Sequence, residues 1–135
     1  MAGSGAFRRI LIVDDEAAIA ETLALILSTR GYEARVAYTA EQGIETIAAW
    51  APHLAIVDVM LPLMNGIDFS IVLKSNHPGC CVLLFSGQPD TGELVEEALR
   101  KGYRFDVLTK PLHPAFLLEK VQNLLGTSQE PLTDA

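Results

Sequence analysis

The chain has 135 residues, half of them hydrophobic and a fifth charged, which suits one packed domain, leaves no room for a second, and is too apolar for a disordered segment. Seventeen acidic against ten basic residues give a formal charge of −7, so the chain repels polyanions and direct nucleic-acid binding is not expected of it. The longest apolar run, Cys80 to Phe85, falls far short of the roughly 20 residues of a membrane-spanning helix, and the first residues lack the apolar stretch of a secretory signal, so a cytoplasmic protein that makes no membrane contact is expected.

After a small, polar extension over residues 1–7, Ile10 to Val13 is a β-branched run that predicts a first strand. Ile19, Leu23, Ile26 and Leu27 then recur at helical spacing up to Gly31, whose tolerance of positive φ suits a helix C-terminus. Glu33 to Ala37 predicts a second strand. Thr39 followed by Gln42 reads as a capping box that opens a second helix, with Ile44, Ile47, Ala48 and Ala51 inward and Pro52 as its stop. Leu54 to Val57 has the unbroken apolar character of a strand buried on both faces. A loop with Pro62, Asn65 and Gly66 leads to a third helix from Ile67 to about Ser75. Cys80 to Phe85 predicts a fourth strand, Glu93 to Lys101 a fourth helix with Leu94, Val95, Ala98 and Leu99 inward, and Phe105 to Leu108 a fifth strand. Pro114, in the first turn, opens a last helix whose core face is Leu117, Leu118, Val121, Leu124 and Leu125, before a polar tail over residues 127–135.

Strands alternating with helices predict an α/β fold: a doubly wound, five-stranded parallel sheet occupying residues 8–126. The adjacent Cys80 and Cys81 lack the spacing of a redox or zinc pair and read as core thiols in a reducing compartment. His53, His77 and His113 lie at element boundaries beside prolines and read as loop and cap residues, and Trp50, at a helix end, reads as packing.

In such a sheet, ligands bind beyond the carboxyl ends of the strands. The residues there are Asp14 and Asp15 after the first strand, Asp58 after the third, Ser86 after the fourth and Lys110 after the fifth. Carboxylates brought together raise one another's pKa unless a positive charge sits among them. Mg²⁺, which takes hard oxygen ligands, fits that need. A carboxylate beside such an ion can act as a nucleophile toward phosphorus, with Lys110 and Ser86 neutralising phosphoryl oxygens.

Asp14-Asp15-Glu16, Val57 to Pro62 with Asn65-Gly66, Phe85-Ser86-Gly87 and Thr109-Lys110-Pro111 together resemble the receiver-domain signature of response regulators over about residues 8 to 125. The resemblance implies a flavodoxin-like (βα)5 fold with strand order 2-1-3-4-5, and phosphorylation of Asp58 by a histidine kinase or phosphotransfer protein. It further implies Mg²⁺ held by Asp14, Asp15, Asp58 and the main-chain carbonyl of Met60, with Ser86 as the switch hydroxyl and Lys110 as the lysine that meets the phosphoryl group. Output would pass through the face of the fourth helix, fifth strand and fifth helix, which can also serve a homodimer. Such a domain is a regulatory phosphoacceptor rather than an enzyme. The family usually carries an aromatic residue three positions before the lysine; here that position is Val107, with Tyr103 and Phe105 as candidate displaced substitutes.

Two other classes share the sheet. A Mg²⁺-dependent phosphohydrolase with an aspartyl-phosphate intermediate needs a second acid two residues after its nucleophile, where this chain has Met60. A dinucleotide-binding domain needs G-x-G-x-x-G after the first strand, where this chain has Asp14-Asp15.

Overall fold

The computed structural model describes residues 7–87, 91–110 and 113–125. Most of the N-terminal extension, the polar tail and Pro111 of the last motif lie outside these residues.

Five parallel strands, β1 (Arg9–Val13), β2 (Glu33–Ala37), β3 (Leu54–Asp58), β4 (Cys81–Ser86) and β5 (Asp106–Thr109), form one sheet in the order β2-β1-β3-β4-β5. The helices are α1 (Ala17–Thr29), α2 (Ala40–Ala49), α3 (Gly66–Asn76), α4 (Thr91–Arg100) and α5 (Pro114–Leu125). This is the flavodoxin-like arrangement expected. Strand parity divides the core. Ile10, Ile12, Leu54, Ile56, Leu83 and Phe85 face α1 and α5, where they meet Leu23, Leu27, Leu117 and Val121. Leu11, Val13, Ala55, Val57, Val82 and Leu84 face α2, α3 and α4, where they meet Ile47, Phe69, Leu73 and Ala98. The central strand β3 is buried along its whole length, which explains its unbroken apolar run, because it has no solvent face to supply polar positions.

Local signals behave as their chemistry requires. The Thr39 hydroxyl accepts from the Gln42 N–H at 3.0 Å, and the Gln42 side chain accepts in return from the N–H of Tyr38 at 2.8 Å. Gly31 takes φ +91° just past α1. His77 caps α3 and contacts the Ile47 carbonyl at 2.9 Å, while His113 Nδ1 accepts from the N–H of Ala115. Trp50 is buried in the core. Burial pushes the Cys80 thiol up to about 12, leaving it protonated and unreactive; Cys81 is only half-buried.

Several expectations need correction. In α2 the buried positions are Ala40, Gly43 and Ile47, with Ile44 partly buried, whereas Ala48 and Ala51 are exposed. The inward stripe starts one turn earlier and ends at Ile47, since Ala48 lies in the last turn of the helix and Ala51 beyond it. Among the described side chains of α4 only Ala98 is buried and Val95 half-buried; Leu94 and Leu99 are exposed at 37% and 50%. A helix packed through so narrow a stripe leaves its larger apolar residues on a free face. β5 begins one residue later than expected, so Phe105 lies just outside the ladder, though buried.

Candidate functional site

Parity and strand length bring the site together. Asp14 continues the alternation of Ile10 and Ile12, Asp58 that of Leu54 and Ile56, and Lys110 that of Leu108, so all three emerge on the α1/α5 side at the carboxyl end of the sheet. Backbone bonds extend the ladders just past the strands: Asp14 N–H donates to Ala37 O at 3.0 Å, Val59 N–H to Phe85 O at 3.1 Å, and Lys110 N–H to Ser86 O at 3.0 Å. Asp58 and Ser86 therefore end their strands, and Asp14 and Lys110 stand one position beyond theirs.

Asp58 is 4% exposed. Its Oδ1 accepts from the Met60 N–H at 3.0 Å and its Oδ2 from the Lys110 ammonium at 3.1 Å, so both oxygens are fixed. The ammonium also lies over the Phe85 ring, 4.9 Å from its centre, a cation–π contact made beside its bond to Asp58.

Asp14 is wholly buried. One oxygen accepts from the Glu16 N–H at 2.9 Å, while Oδ2 has no partner. Desolvation, reinforced by the neighbouring Asp58 and opposed by the Glu16 bond and Lys110, pushes its carboxyl up to about 6 from 3.8. Carboxylate oxygens of Asp14, Glu16 and Asp58 lie within 4.8 Å of one another, and Lys110 reaches Glu16 only at 4.0 Å. One ammonium among three carboxylates leaves negative charge in excess. A buried, unpartnered oxygen aimed into such a group is what a hard divalent cation satisfies, so the donor set fits Mg²⁺.

The sequence-derived residues fare differently. Asp14, Asp58 and Lys110 meet. Asp15 is exposed, outside the three-carboxylate group, and Glu16 takes the third place. Glu16 belongs to the same motif, and the Asp14 bond to its N–H, a contact invisible in spacing, brings it to the mouth of the site. Ser86 is 3% exposed at the end of β4, on the parity of Val82 and Leu84, so it leaves the same sheet edge toward the opposite layer from Asp14, Asp58 and Lys110. Met60 is exposed on the rim, an apolar side chain with no proton to give a leaving group.

Tyr103 and Phe105 do not reach Ser86. Val107 pairs with Leu84, two positions before the Ser86–Thr109 pair. Phe105 and Tyr103 stack with ring centres 6.4 Å apart, and the Tyr103 hydroxyl lies 3.3 Å from that of Ser75 near the end of α3. Both belong to the amino end of the sheet. In this chain Val107 stands alone at the family's aromatic position.

Comparison with known proteins agrees with this geometry. The family model described as the response regulator receiver domain matches residues 10–122. The chain is 34% identical over 123 residues to the DNA-binding response regulator MtrA of Mycolicibacterium paratuberculosis, covering 91% of this chain and 53% of MtrA. It is 33% identical over 120 residues to the nitrogen assimilation regulatory protein NtrX of Azorhizobium caulinodans, covering 87% of this chain and 26% of NtrX. The chain thus spans about half the length, or less, of these curated relatives. Among solved structures, the receiver domain protein (CheY-like) from Methanospirillum hungatei superposes with a TM-score of 0.80 at 33% identity, covering 87% of this chain and 93% of that one. The receiver domain of NtrX from Brucella abortus gives 0.76 at 33%, covering 88% and 99%. No helix among the described residues is long and apolar enough to cross a membrane. The chain belongs to the response-regulator receiver domain family.

Proposed function

We propose that this domain is a phosphorylation switch in which Asp58 accepts a phosphoryl group from a histidine kinase or phosphotransfer protein in the presence of Mg²⁺. The observation that carries this reading is the pairing of the buried Asp58 carboxylate with Lys110 at 3.1 Å beside the unpartnered Oδ2 of the buried Asp14. A carboxylate oxygen of Asp58 forms the new bond to phosphorus as the donor's bond to phosphorus breaks. Lys110, already aimed at Asp58, transfers its pairing to a phosphoryl oxygen, and the Ser86 hydroxyl donates to another. The divalent ion supplies the positive charge that offsets the carboxylates and the incoming phosphoryl oxygens.

Asp14, Asp58 and, by resemblance, the Met60 carbonyl hold that ion. Asp15 and Glu16 are the two further carboxylates at its mouth, and the resemblance favours Asp15. Asp15→Asn is therefore expected to abolish Mg²⁺-dependent labelling and Glu16→Gln to retain it; the reverse pattern would assign the ligand to Glu16.

Phosphorylation adds nearly two negative charges and favours whichever conformer accommodates them. The α4–β5–α5 side exposes Leu94, Leu99, Val107 and Phe116, apolar residues suited to an output partner or a second copy of the domain. Its role is regulatory; the hydrolase alternative lacks its second acid at Met60. Intact-mass analysis after acetyl phosphate and Mg²⁺ tests the chemistry. One added phosphoryl group, absent in Asp58→Asn and absent with EDTA, is the expected result. No label on the wild-type chain would overturn the reading.

A further inference from the structure

The main chain behind Asp58 is packed more closely than a side chain permits. Gly66 opens α3 with its N–H donating to Val59 O at 2.8 Å. A Cβ placed on it would lie 2.1 Å from the carbonyl oxygen of Asp58 and 2.9 Å from Cγ1 of Val57. The obstacle is backbone of a strand paired on both sides, β1 to one and β4 to the other, so it cannot swing away as a side chain could. The first turn of α3 is fixed in turn by the fully buried Ser70, whose hydroxyl donates to the Gly66 carbonyl at 2.7 Å. Asn65 caps the same turn by accepting from the Asp68 N–H at 2.8 Å. The acceptor residue is thus held in front by Lys110 and the Met60 N–H and behind by a helix that touches its own carbonyl.

We propose that Gly66 is a positioning residue for phosphoryl transfer, its missing side chain allowing α3 to press on the Asp58 main chain and set where the carboxylate meets Lys110 and the ion. This rests on the phosphoacceptor reading above. Gly66 is at a helix start, where an alanine would ordinarily be accepted or favoured; the need for glycine comes from the acceptor's carbonyl, not from helix formation. A side chain here must displace either α3 or Asp58 by about 1 Å, and misplacements of that size in reacting groups cost up to roughly 100-fold in rate.

A control for crowding against the same helix is available. A Cβ on Gly43 in α2 would lie 2.7 Å from the tip of the Phe69 ring on α3, pressing on a side chain of that helix and not on the Asp58 main chain. The test is the time course of acetyl phosphate labelling at saturating Mg²⁺, followed by intact mass, for the full chain and for Gly66→Ala and Gly43→Ala, each first checked for folding by circular dichroism. Gly66→Ala is expected to lower the first-order labelling constant at saturating donor roughly 10- to 100-fold with the half-saturating donor concentration unchanged, while Gly43→Ala labels at the wild-type rate. Equal labelling constants in the two variants would overturn the proposal while leaving the phosphoacceptor reading intact. An unlabelled wild-type chain would overturn both. Should Gly66→Ala not fold, Ser70→Ala, which adds no clash but releases the first turn, decides instead: a several-fold slower labelling constant supports the proposal, and wild-type labelling rejects it.

Discussion

Toward the amino end of the sheet, His53, Arg9, Arg35 and Lys74 are tied to neighbours, whereas at the carboxyl end carboxylates crowd one another and a buried oxygen of Asp14 has no hydrogen-bond partner. His53 Nδ1 accepts from the Arg9 N–H at 2.8 Å, and the Arg9 side chain donates to Ala51 O at 2.7 Å. The Arg35 guanidinium lies 4.7 Å above the Trp50 ring, and Lys74 donates to Pro78 O and Cys80 O at 3.0 and 2.8 Å. Asp14 has no comparable compensation: its Oδ2 is unpartnered, and the Lys110 ammonium, bonded to Asp58, reaches Glu16 only at 4.0 Å. The same backbone scaffold carries both ends, so the difference lies in side-chain chemistry. One end stabilises the fold, and the other stores unfavourable charge that a ligand can relieve.

The largest expected effect breaks the satisfied end. Trp50→Ala removes a buried ring and the surface on which Arg35 rests, and is expected to cost about 3–5 kcal/mol of stability, measured by urea unfolding, with Mg²⁺ affinity unchanged in the protein that remains folded.

The next effect concerns the frustrated end. Raising the Asp14 carboxyl to about 6 from 3.8 in the folded chain means that the folded state favours its neutral form. The associated stability is fully present below 3.8 and is lost as pH rises through about 6, a change of order 3 kcal/mol. Metal-free protein is therefore expected to gain stability on acidification from neutral pH toward pH 4. Asp14→Asn should remove most of that gain. Denaturant unfolding across this range in EDTA measures both.

The amino end should show the opposite sign. His53 accepts through Nδ1, and burial, then the charges of Arg9 and Arg8, lower its pKa from 6.5. Its contribution is complete above 6.5 and is lost as pH falls through the lowered value, because the unfolded chain binds the proton first. In an Asp14→Asn background this loss on acidification stands uncovered, and His53→Asn should remove it; an unchanged pH profile in the double variant would reject the assignment.

The smallest effect is at the rim. Leu63 has φ +70° and is 93% exposed, so it holds a left-handed conformation without burial to offset the strain. Leu63→Gly is expected to be neutral or to stabilise by up to about 1 kcal/mol, read as a small rise in the melting temperature.

Much of this architecture was legible in the chain. The β-branched runs gave the strands because each is paired and at least half-covered, and Thr39 and Gly31 announced helix ends through local chemistry that packing did not override. The site's core, Asp14, Asp58 and Lys110, was legible because residues following strands must gather at one edge of a parallel sheet. What escaped depended on rotamers and helix phase. Glu16 enters through a bond to Asp14, not through its spacing. The exposure of Leu94 and Leu99 follows from how little of α4 touches the sheet, which apolar periodicity does not encode. Tyr103 and Phe105 lie close to Lys110 in sequence, yet β5 carries them to the opposite end of the sheet.

On the proposed reading, the crowded carboxylates at the carboxyl end await a divalent cation. This is tested most directly by thermal unfolding at pH 7 in EDTA and in excess Mg²⁺, comparing the wild-type chain with Asp14→Asn. The wild-type chain should gain about 2–3 kcal/mol when Mg²⁺ reaches 100 times its dissociation constant, while Asp14→Asn should start more stable without metal and respond little. A wild-type melting temperature indifferent to Mg²⁺, with Asp14→Asn less stable in EDTA, would contradict the account.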